Sequence, residues 1–424
     1  MKLASRLDFI EPFWVMECAK AADVLARSPA CDPAQGGEPM IFMNIGEPDF
    51  TAVPGVQQAA ADCLAAGRTQ YTHATGLPAL RERIAAWYGT RFGVHVSAER
   101  IVVTAGASAA LQLICLALFE PGDEVLMPDP SYPCNRHFVA AVGATARLLP
   151  ASAAARFQLD AASVAANWNS HTRGVLLASP SNPTGTSIAH SEMAAIAQTV
   201  RDRGGVTIVD EIYLGLSYDE AYGHSALALD DGRAGGLGAE IISINSFSKY
   251  FGMTGWRLGW MVVPPELLAP IEKLAQNLYI CPSTLAQRAA LACFEPDAIA
   301  QYEQRRAEFR RRRDFIVAAL RAIGLPVPVE PDGAFYVWFD CSAYSPDSWD
   351  FCFEMLHRAH VALTPGRDFG PAQAQRFVRL SFACSMAQLQ VAADRLAREL
   401  QAWPLVAQPV QAPVSAAKPR LMQR

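Results

Sequence analysis

The chain lacks long blocks of like charge: 18% of its 424 residues are charged, the formal net charge is −5, and the one local run is Arg310 to Arg313. That absence argues against nucleic acid or an anionic membrane surface as a partner. The arginine run falls among Phe309, Ile316, Val317 and Leu320, which mark one apolar helical face, and so reads as the solvated face of a helix. No apolar run reaches the length of a membrane span, and the first residues, with Lys2, Arg6, Asp8 and Glu11, lack the apolar core of a secretory leader. The ten cysteines are scattered singly, without a C-x-x-C pair, a zinc-like Cys/His spacing or a short disulfide framework. His357 and His360 are three apart but have no carboxylate motif around them, so no metal is expected. Together these absences lead us to expect a cytoplasmic protein. There is no internal repeat, no basic recognition stretch and no room before Asn44 for a helix-turn-helix unit, which excludes a DNA-binding regulator as the leading expectation.

What is present is a large apolar content, 51% hydrophobic residues, enough for a large domain and a smaller one. Residues 1–43 read as an N-terminal arm that belongs with the smaller domain, opening on the apolar-aromatic segment around Phe13 and Trp14. After a short strand at 40–45 and helices at 56–66 and 77–88, short β-branched runs appear at 101–104, 124–127, 146–149, 174–178, 206–209, 241–245 and 258–263. Most are separated by helix-length amphipathic stretches such as 111–119, 191–201 and 265–276. This alternation predicts an α/β domain over 44–295, a mostly parallel sheet between helices, with ligands at the carboxyl ends of the strands. From 296 to 403 the texture changes to a long helix, strands at 326–329, 334–339 and 376–382, and helices at 347–359 and at the end, a smaller α+β domain. The segment 404–424, rich in Pro, Ala, Gln and Val without periodicity, reads as a disordered tail.

The chemistry concentrates in Ser246-Phe247-Ser248-Lys249-Tyr250-Phe251-Gly252-Met253-Thr254-Gly255-Trp256-Arg257. A lysine in an apolar run loses hydration of its ammonium, so part of it becomes a neutral amine able to form a Schiff base. Ser246 and Arg257 offer a hydroxyl and a planar cationic fork to a phosphate, which makes pyridoxal phosphate the natural carbonyl partner. A small-residue turn, Gly106-Ala107-Ser108, runs from a strand into a helix and suits an anion. Tyr132 in Asp129-Pro130-Ser131-Tyr132-Pro133 can cover a flat heterocycle, and Asn182 in Ser181-Asn182-Pro183-Thr184-Gly185 can present a hydrogen-bond donor, although both also suit ordinary turns. Asp210 closes an apolar strand and would be costly there without a cationic partner; a protonated pyridine nitrogen would satisfy it.

In these ordered motifs the chain resembles the class I/II aminotransferases, fold type I pyridoxal-phosphate enzymes, from about Asn44 through the last helix. The resemblance implies that Lys249 carries the cofactor, with Asp210 and Tyr213 completing the catalytic set. It implies that Ser246, Arg257, Gly106, Ala107 and Ser108 hold the phosphate, that Tyr132 stacks on the ring, and that Asn182 and Tyr213 bind the ring oxygen. Arg379 in Arg376-Phe377-Val378-Arg379-Leu380-Ser381-Phe382-Ala383 matches the arginine that grips the substrate α-carboxylate, with Gly46 beside it. Tyr71 matches a tyrosine that reaches a neighbouring subunit's phosphate, so a homodimer with shared sites is implied.

The implied activity is transfer of an amino group from an L-amino acid to a 2-oxo acid in a ping-pong sequence. Relatives that prefer aspartate carry cationic or hydroxyl groups for the second carboxylate; here Phe13 and Trp14 in the arm and Leu278-Tyr279-Ile280-Cys281 are expected to make an apolar wall. The expected donor therefore has a neutral aliphatic or aromatic side chain, with 2-oxoglutarate as acceptor. Aspartate transamination, with Arg367 or another unassigned basic residue holding the second carboxylate, and a lyase on the same scaffold are the alternatives.

Overall fold

The computed structural model describes residues 2–12, 14–229 and 236–406. Phe13 and nearly all of the segment expected to be a disordered tail lie outside the described residues.

After a two-residue strand β1 (Ile41–Phe42), seven strands form the central sheet: β2 (Ile101–Thr104), β3 (Glu124–Asp129), β4 (Thr145–Pro150), β5 (Thr172–Ala178), β6 (Val206–Asp210), β7 (Ile242–Ser246) and β8 (Gly259–Val262). Their order is β2-β8-β7-β6-β5-β3-β4. The pairs β3·β4, β3·β5, β5·β6 and β6·β7 are parallel, whereas β8 is antiparallel to both β7 and β2. The reason for the exception is local. Parallel neighbours need a crossover, and the chain between β7 and β8 turns straight back around Lys249 without one.

The near-continuous apolar strands serve two cores because successive side chains point to opposite faces. Leu126, Val175, Leu177, Val209, Trp260 and Val262 enter one core with the helices Pro54–Ala65, Pro78–Phe92 and His190–Arg201. Their neighbours Val125, Met127, Leu176, Ile208 and Met261 enter the other, against the helices Ala107–Leu118 and Pro265–Leu278. Since β2 and β7 are each antiparallel to β8, the carboxyl ends of β2, β3, β5, β6 and β7 all lie on one edge. Asp129, Ala178, Asp210 and Ser246 are brought to that edge.

The remaining strands are β9 (Tyr336–Asp340), β10 (Val361–Ala362), β11 (Thr364–Pro365) and β12 (Phe377–Ser381). β12 pairs antiparallel with β9 and β11, and β10 pairs in parallel with β1, tying the start of the chain to its end. The helix Trp14–Ala26 is fastened to the same unit. Asp368 accepts hydrogen bonds from the amides of Trp14 and Val15 at 2.9 Å each, satisfying two donors that a helix start leaves free. The carbonyl of Asp368 in turn accepts from Arg136 on the sheet domain at 3.2 and 3.1 Å.

Two expectations fail here. Residues 326–329 form no strand, since Pro326 and Pro328 have no N–H to give to a ladder. The arginine run is not a fully solvated face: Arg312 and Arg313 are buried. Arg312 donates to both oxygens of Asp49 at 2.9 and 3.0 Å and to Glu308 at 2.9 Å, and Arg313 donates to the Pro331 carbonyl at 2.7 Å. The helix Pro296–Ala322 lies against both parts of the molecule, so its polar residues meet partners instead of water.

Leu177 is fully buried in β5. Leu177→Ala is expected to cost about 2–5 kcal/mol of stability through lost transfer energy and the cavity left behind. A thermal melt of the apoprotein unchanged by this substitution would contradict the two-core description.

Candidate active site

The carboxyl edge of the sheet, the loop after β1 and the strands β9 and β12 enclose a cavity of about 320 Å³. Lys249, at the first turn after β7, reaches into it and donates from Nζ to the Gly46 carbonyl at 2.6 Å. Burial pushes its pKa down to about 8, reinforced by the cationic Arg379 and opposed by Glu47 and Asp210. Asp210 is buried at the end of β6. Burial pushes its carboxyl up to about 6, against the opposing influence of the Ile212 amide, which donates to Oδ1 at 3.1 Å, and of Lys249. Among the described residues no cation forms an ion pair with Asp210.

Arg379 lies on β12 and is buried. Nη1 donates to Asn182 Oδ1 at 2.9 Å and Nη2 to the Asn44 carbonyl at 2.7 Å, so the fork is fixed by neutral acceptors. Its Nε is buried without a hydrogen-bond partner, and among the described residues no carboxylate pairs with it. A buried guanidinium held this way is set to receive an anion from the cavity. Gly46 is needed beside it, because a Cβ there would stand 2.6 Å from the Tyr336 hydroxyl.

The opposite end is built for a second anion. Gly106, at φ +81°, caps the helix Ala107–Leu118 without any side-chain hydrogen bond. A Cβ on Gly106 would stand 2.5 Å from Arg257 Nη2, so the missing side chain is what lets the guanidinium lie over the helix start. Ala107, Ser108, Ser246 and Arg257 all line the cavity at this end, where free amides, a hydroxyl and a cation converge. Tyr132, Asn182 and Tyr213 line the middle.

Of the residues singled out from sequence, the structure brings together Gly46, Ala107, Ser108, Tyr132, Asn182, Asp210, Tyr213, Ser246, Lys249, Arg257 and Arg379, with Gly106 beneath Arg257. Tyr71 is not with them; it is 79% exposed and outside the cavity of its own chain. The wall expected from Trp14 is formed by its neighbours instead. Trp14 turns edge-on to Trp349, with ring centroids 5.9 Å apart, while Val15, Met16 and Ala19 line the cavity. Leu278 and Ile280 are 56% and 50% exposed, and none of 278–281 lines it. Arg367 is engaged elsewhere, donating to Asp347 at 3.0 Å and stacking on Trp349 at 4.5 Å. Together with Trp14 it borders a separate hollow of about 1010 Å³ beneath the N-terminal arm. Sequence reasoning missed Tyr336, Glu47, Asn44 and Met16. Tyr336 sits in an apolar strand pattern that hides its hydroxyl, Glu47 stands in the turn Gly46-Glu47-Pro48-Asp49, where the glycine alone drew attention, and Asn44 and Met16 carry no motif of their own.

The profile of the family described as "Aminotransferase class I and II" matches residues 38–396. This chain belongs to that family. The aminotransferase is 38% identical over 387 residues to the valine–pyruvate aminotransferase of Mycobacterium tuberculosis, covering 91% of this chain and 96% of the relative. It is 33% identical to an aspartate aminotransferase of Thermotoga maritima over 85% and 91% of the two chains. A crystal structure of an aminotransferase from M. tuberculosis superposes with a TM-score of 0.88 at 36% identity, covering 95% of this chain and all of that one. The aminotransferase is thus a fold type I enzyme dependent on pyridoxal phosphate. Its cavity fits that cofactor on three independent features: the uncapped helix start beneath Arg257, the buried Asp210 that lacks a cation, and the depressed Lys249 amine between them.

Five lysines occur in the sequence: Lys2, Lys20, Lys249, Lys273 and Lys418. In the apoenzyme the neutral fraction of Lys249 rises as pH passes upward through about 8. Acylation at limiting reagent, followed by peptide mass spectrometry, is expected to modify Lys249 with a pH midpoint well below that of a solvated lysine, roughly 10.4. A midpoint at the ordinary lysine value would refute the desolvated-amine description.

Proposed function

We propose that this aminotransferase moves the amino group of an L-amino acid with a neutral side chain to a short 2-oxo acid such as pyruvate. One observation carries the reading: among the described residues the cations lining the cavity are Lys249, Arg257 and Arg379, and the proposed roles of these three leave none for a second carboxylate. Ile45, Val15, Met16, Leu111 and Ile212 supply apolar lining, and the remaining charged groups are the anions Glu47 and Asp210. The 2-oxoglutarate expected from sequence carries a second carboxylate and meets the same deficit; pyruvate does not. The valine–pyruvate name of the M. tuberculosis relative points the same way, and the T. maritima relative's name points to the alternative.

Pyridoxal phosphate, when bound, supplies a carbonyl and an electron-withdrawing ring. The Ala107 and Ser108 amides, the Ser246 hydroxyl and Arg257 hold its phosphate. Asp210 would hold a proton on the ring nitrogen, and Tyr132 would lie against the ring. Asn182 has its Oδ1 occupied by Arg379, so its amide hydrogens are left to the ring oxygen, which Tyr213 also meets. Arg379 takes the donor's α-carboxylate, fixing the Cα–H near Lys249. The Lys249 amine, about half neutral near pH 8, would take that proton at Nζ. Donor and acceptor occupy the same place in turn, which gives ping-pong kinetics. The reading also takes the enzyme as a homodimer in which the exposed Tyr71 reaches the partner's phosphate.

Single L-amino acids added to the holoenzyme without an oxo acid test the donor. Valine, alanine, leucine or phenylalanine is expected to bleach the cofactor's yellow band, with kcat/KM for aspartate about 10- to 100-fold lower, the cost of an unpaired carboxylate. Pyruvate is expected to restore the band faster than 2-oxoglutarate. Preference for aspartate would reject the neutral-donor reading while leaving the enzyme class intact. For the assembly, a solution mass of twice the chain and weaker cofactor retention by Tyr71→Phe are expected.

A further inference from the structure

Tyr336 is absent from every motif that drew attention to the site, yet it touches both halves of it. It is fully buried on β9, with its hydroxyl 2.8 Å from that of Tyr213, and either oxygen can donate. The Arg379 guanidinium lies over its ring, 4.6 Å from the centroid. The Tyr336 and Tyr213 rings meet edge to face at 5.6 Å and 81°. Gly46 completes the enclosure, since its missing side chain makes room for the Tyr336 hydroxyl. Burial raises the pKa of both phenols, so both remain protonated. The titratable and charged groups that face the pair are Tyr132, Arg379 and Lys249, whose Nζ stands 5.6 Å from the Tyr213 ring centroid, farther than Arg379 stands from the Tyr336 ring.

Two phenols at this distance share one hydrogen bond, and which one donates determines where the other hydroxyl points. A cation against the Tyr336 ring withdraws electron density and makes its O–H the better donor. Tyr213 then accepts, and its own hydrogen is free to point into the cavity. We propose that Tyr336 is a positioning residue with two separable parts: its hydroxyl orients the Tyr213 hydroxyl toward the cofactor's ring oxygen, and its ring holds the Arg379 fork for the substrate carboxylate. The inference rests on the roles proposed above for Tyr213 and Arg379.

Two substitutions separate the parts. Tyr336→Phe keeps the ring under Arg379 and removes the hydroxyl. With weaker donation from Tyr213, the ring oxygen keeps more negative charge and holds the neighbouring proton more tightly. The pH midpoint of the holoenzyme's visible absorbance, measured without substrate, is expected to rise by about half a unit to one unit, the scale of one hydrogen bond. The donor KM should change less than about twofold. Tyr336→Leu removes the ring as well and is expected to raise the donor KM by about three- to tenfold, the scale of one cation–ring contact, with a smaller change in kcat. An unshifted midpoint in Tyr336→Phe overturns the hydroxyl part, and an unchanged KM in Tyr336→Leu overturns the ring part. Tyr213→Phe serves as the control. If its titration matched the wild type, the role of Tyr213 would be lost and the hydroxyl part with it.

Discussion

Removal of charged groups from water is the constraint on which the rest of this structure depends. Lys249 is pushed down to about 8 and Asp210 up to about 6, and in both burial is the largest cause. They attract one another, but that attraction only moderates the shifts. In the apoprotein each group is therefore held in an environment that favours its uncharged form, an unfavourable arrangement that folding must offset elsewhere. A ligand with a carbonyl for the amine and a protonated ring nitrogen for the carboxylate removes both penalties at once. The same low polarity that makes these groups costly makes them reactive, because a lysine titrating near 8 is a competent base close to neutral pH.

Placing such groups accurately requires a rigid support, and the doubly covered sheet supplies it. Asp210 and Ser246 end adjacent parallel strands, with Asp210 opposite Ile244 in the register, so their separation is fixed by the ladder. Lys249 follows three residues later, in the one connection that reverses direction rather than crossing over a face. The antiparallel return of β8 is thus what turns the lysine-bearing segment across the edge of the sheet. Arg379 comes from the other part of the molecule, and its fork is locked by Asn182 from the sheet domain and by the Asn44 carbonyl. The group proposed to bind the substrate carboxylate is shaped by both parts together.

That division explains what the sequence could disclose. The sheet was legible because its strands are apolar on both faces and separated by helix-length segments; Lys249 and Asp210 were legible because each is costly in an apolar setting, and Arg257 because it sets a planar cationic fork close behind the lysine. Residues 326–329 look like a strand in hydropathy, but the missing amides of Pro326 and Pro328 outweigh the valines that follow each of them. Arg312 and Arg313 look solvated by composition; their partners Asp49 and the Pro331 carbonyl are distant or near in sequence but visible only after folding. Tyr336 was illegible for a different reason. A tyrosine in a buried strand differs from its apolar neighbours only in one hydroxyl, and the meaning of that hydroxyl lies in Tyr213, 123 residues away.

The substrate wall shows how little separates a right segment from a wrong residue. The arm was correctly suspected of approaching the site, yet Trp14 faces Trp349 and its neighbours Val15, Met16 and Ala19 face the cavity. Successive residues on a helix are rotated by about 100°, so a shift of one position exchanges a large aromatic for a valine. Here the rotation is set by Asp368, which fixes the Trp14 and Val15 amides from more than 350 residues away. Asp368 is itself anchored to the sheet domain through Arg136, one turn beyond Tyr132. The helix that borders the cavity is therefore registered to the helix that begins at Tyr132, on another side of the same cavity. Side-chain selectivity in this enzyme depends on that register as much as on the residues that happen to line the wall.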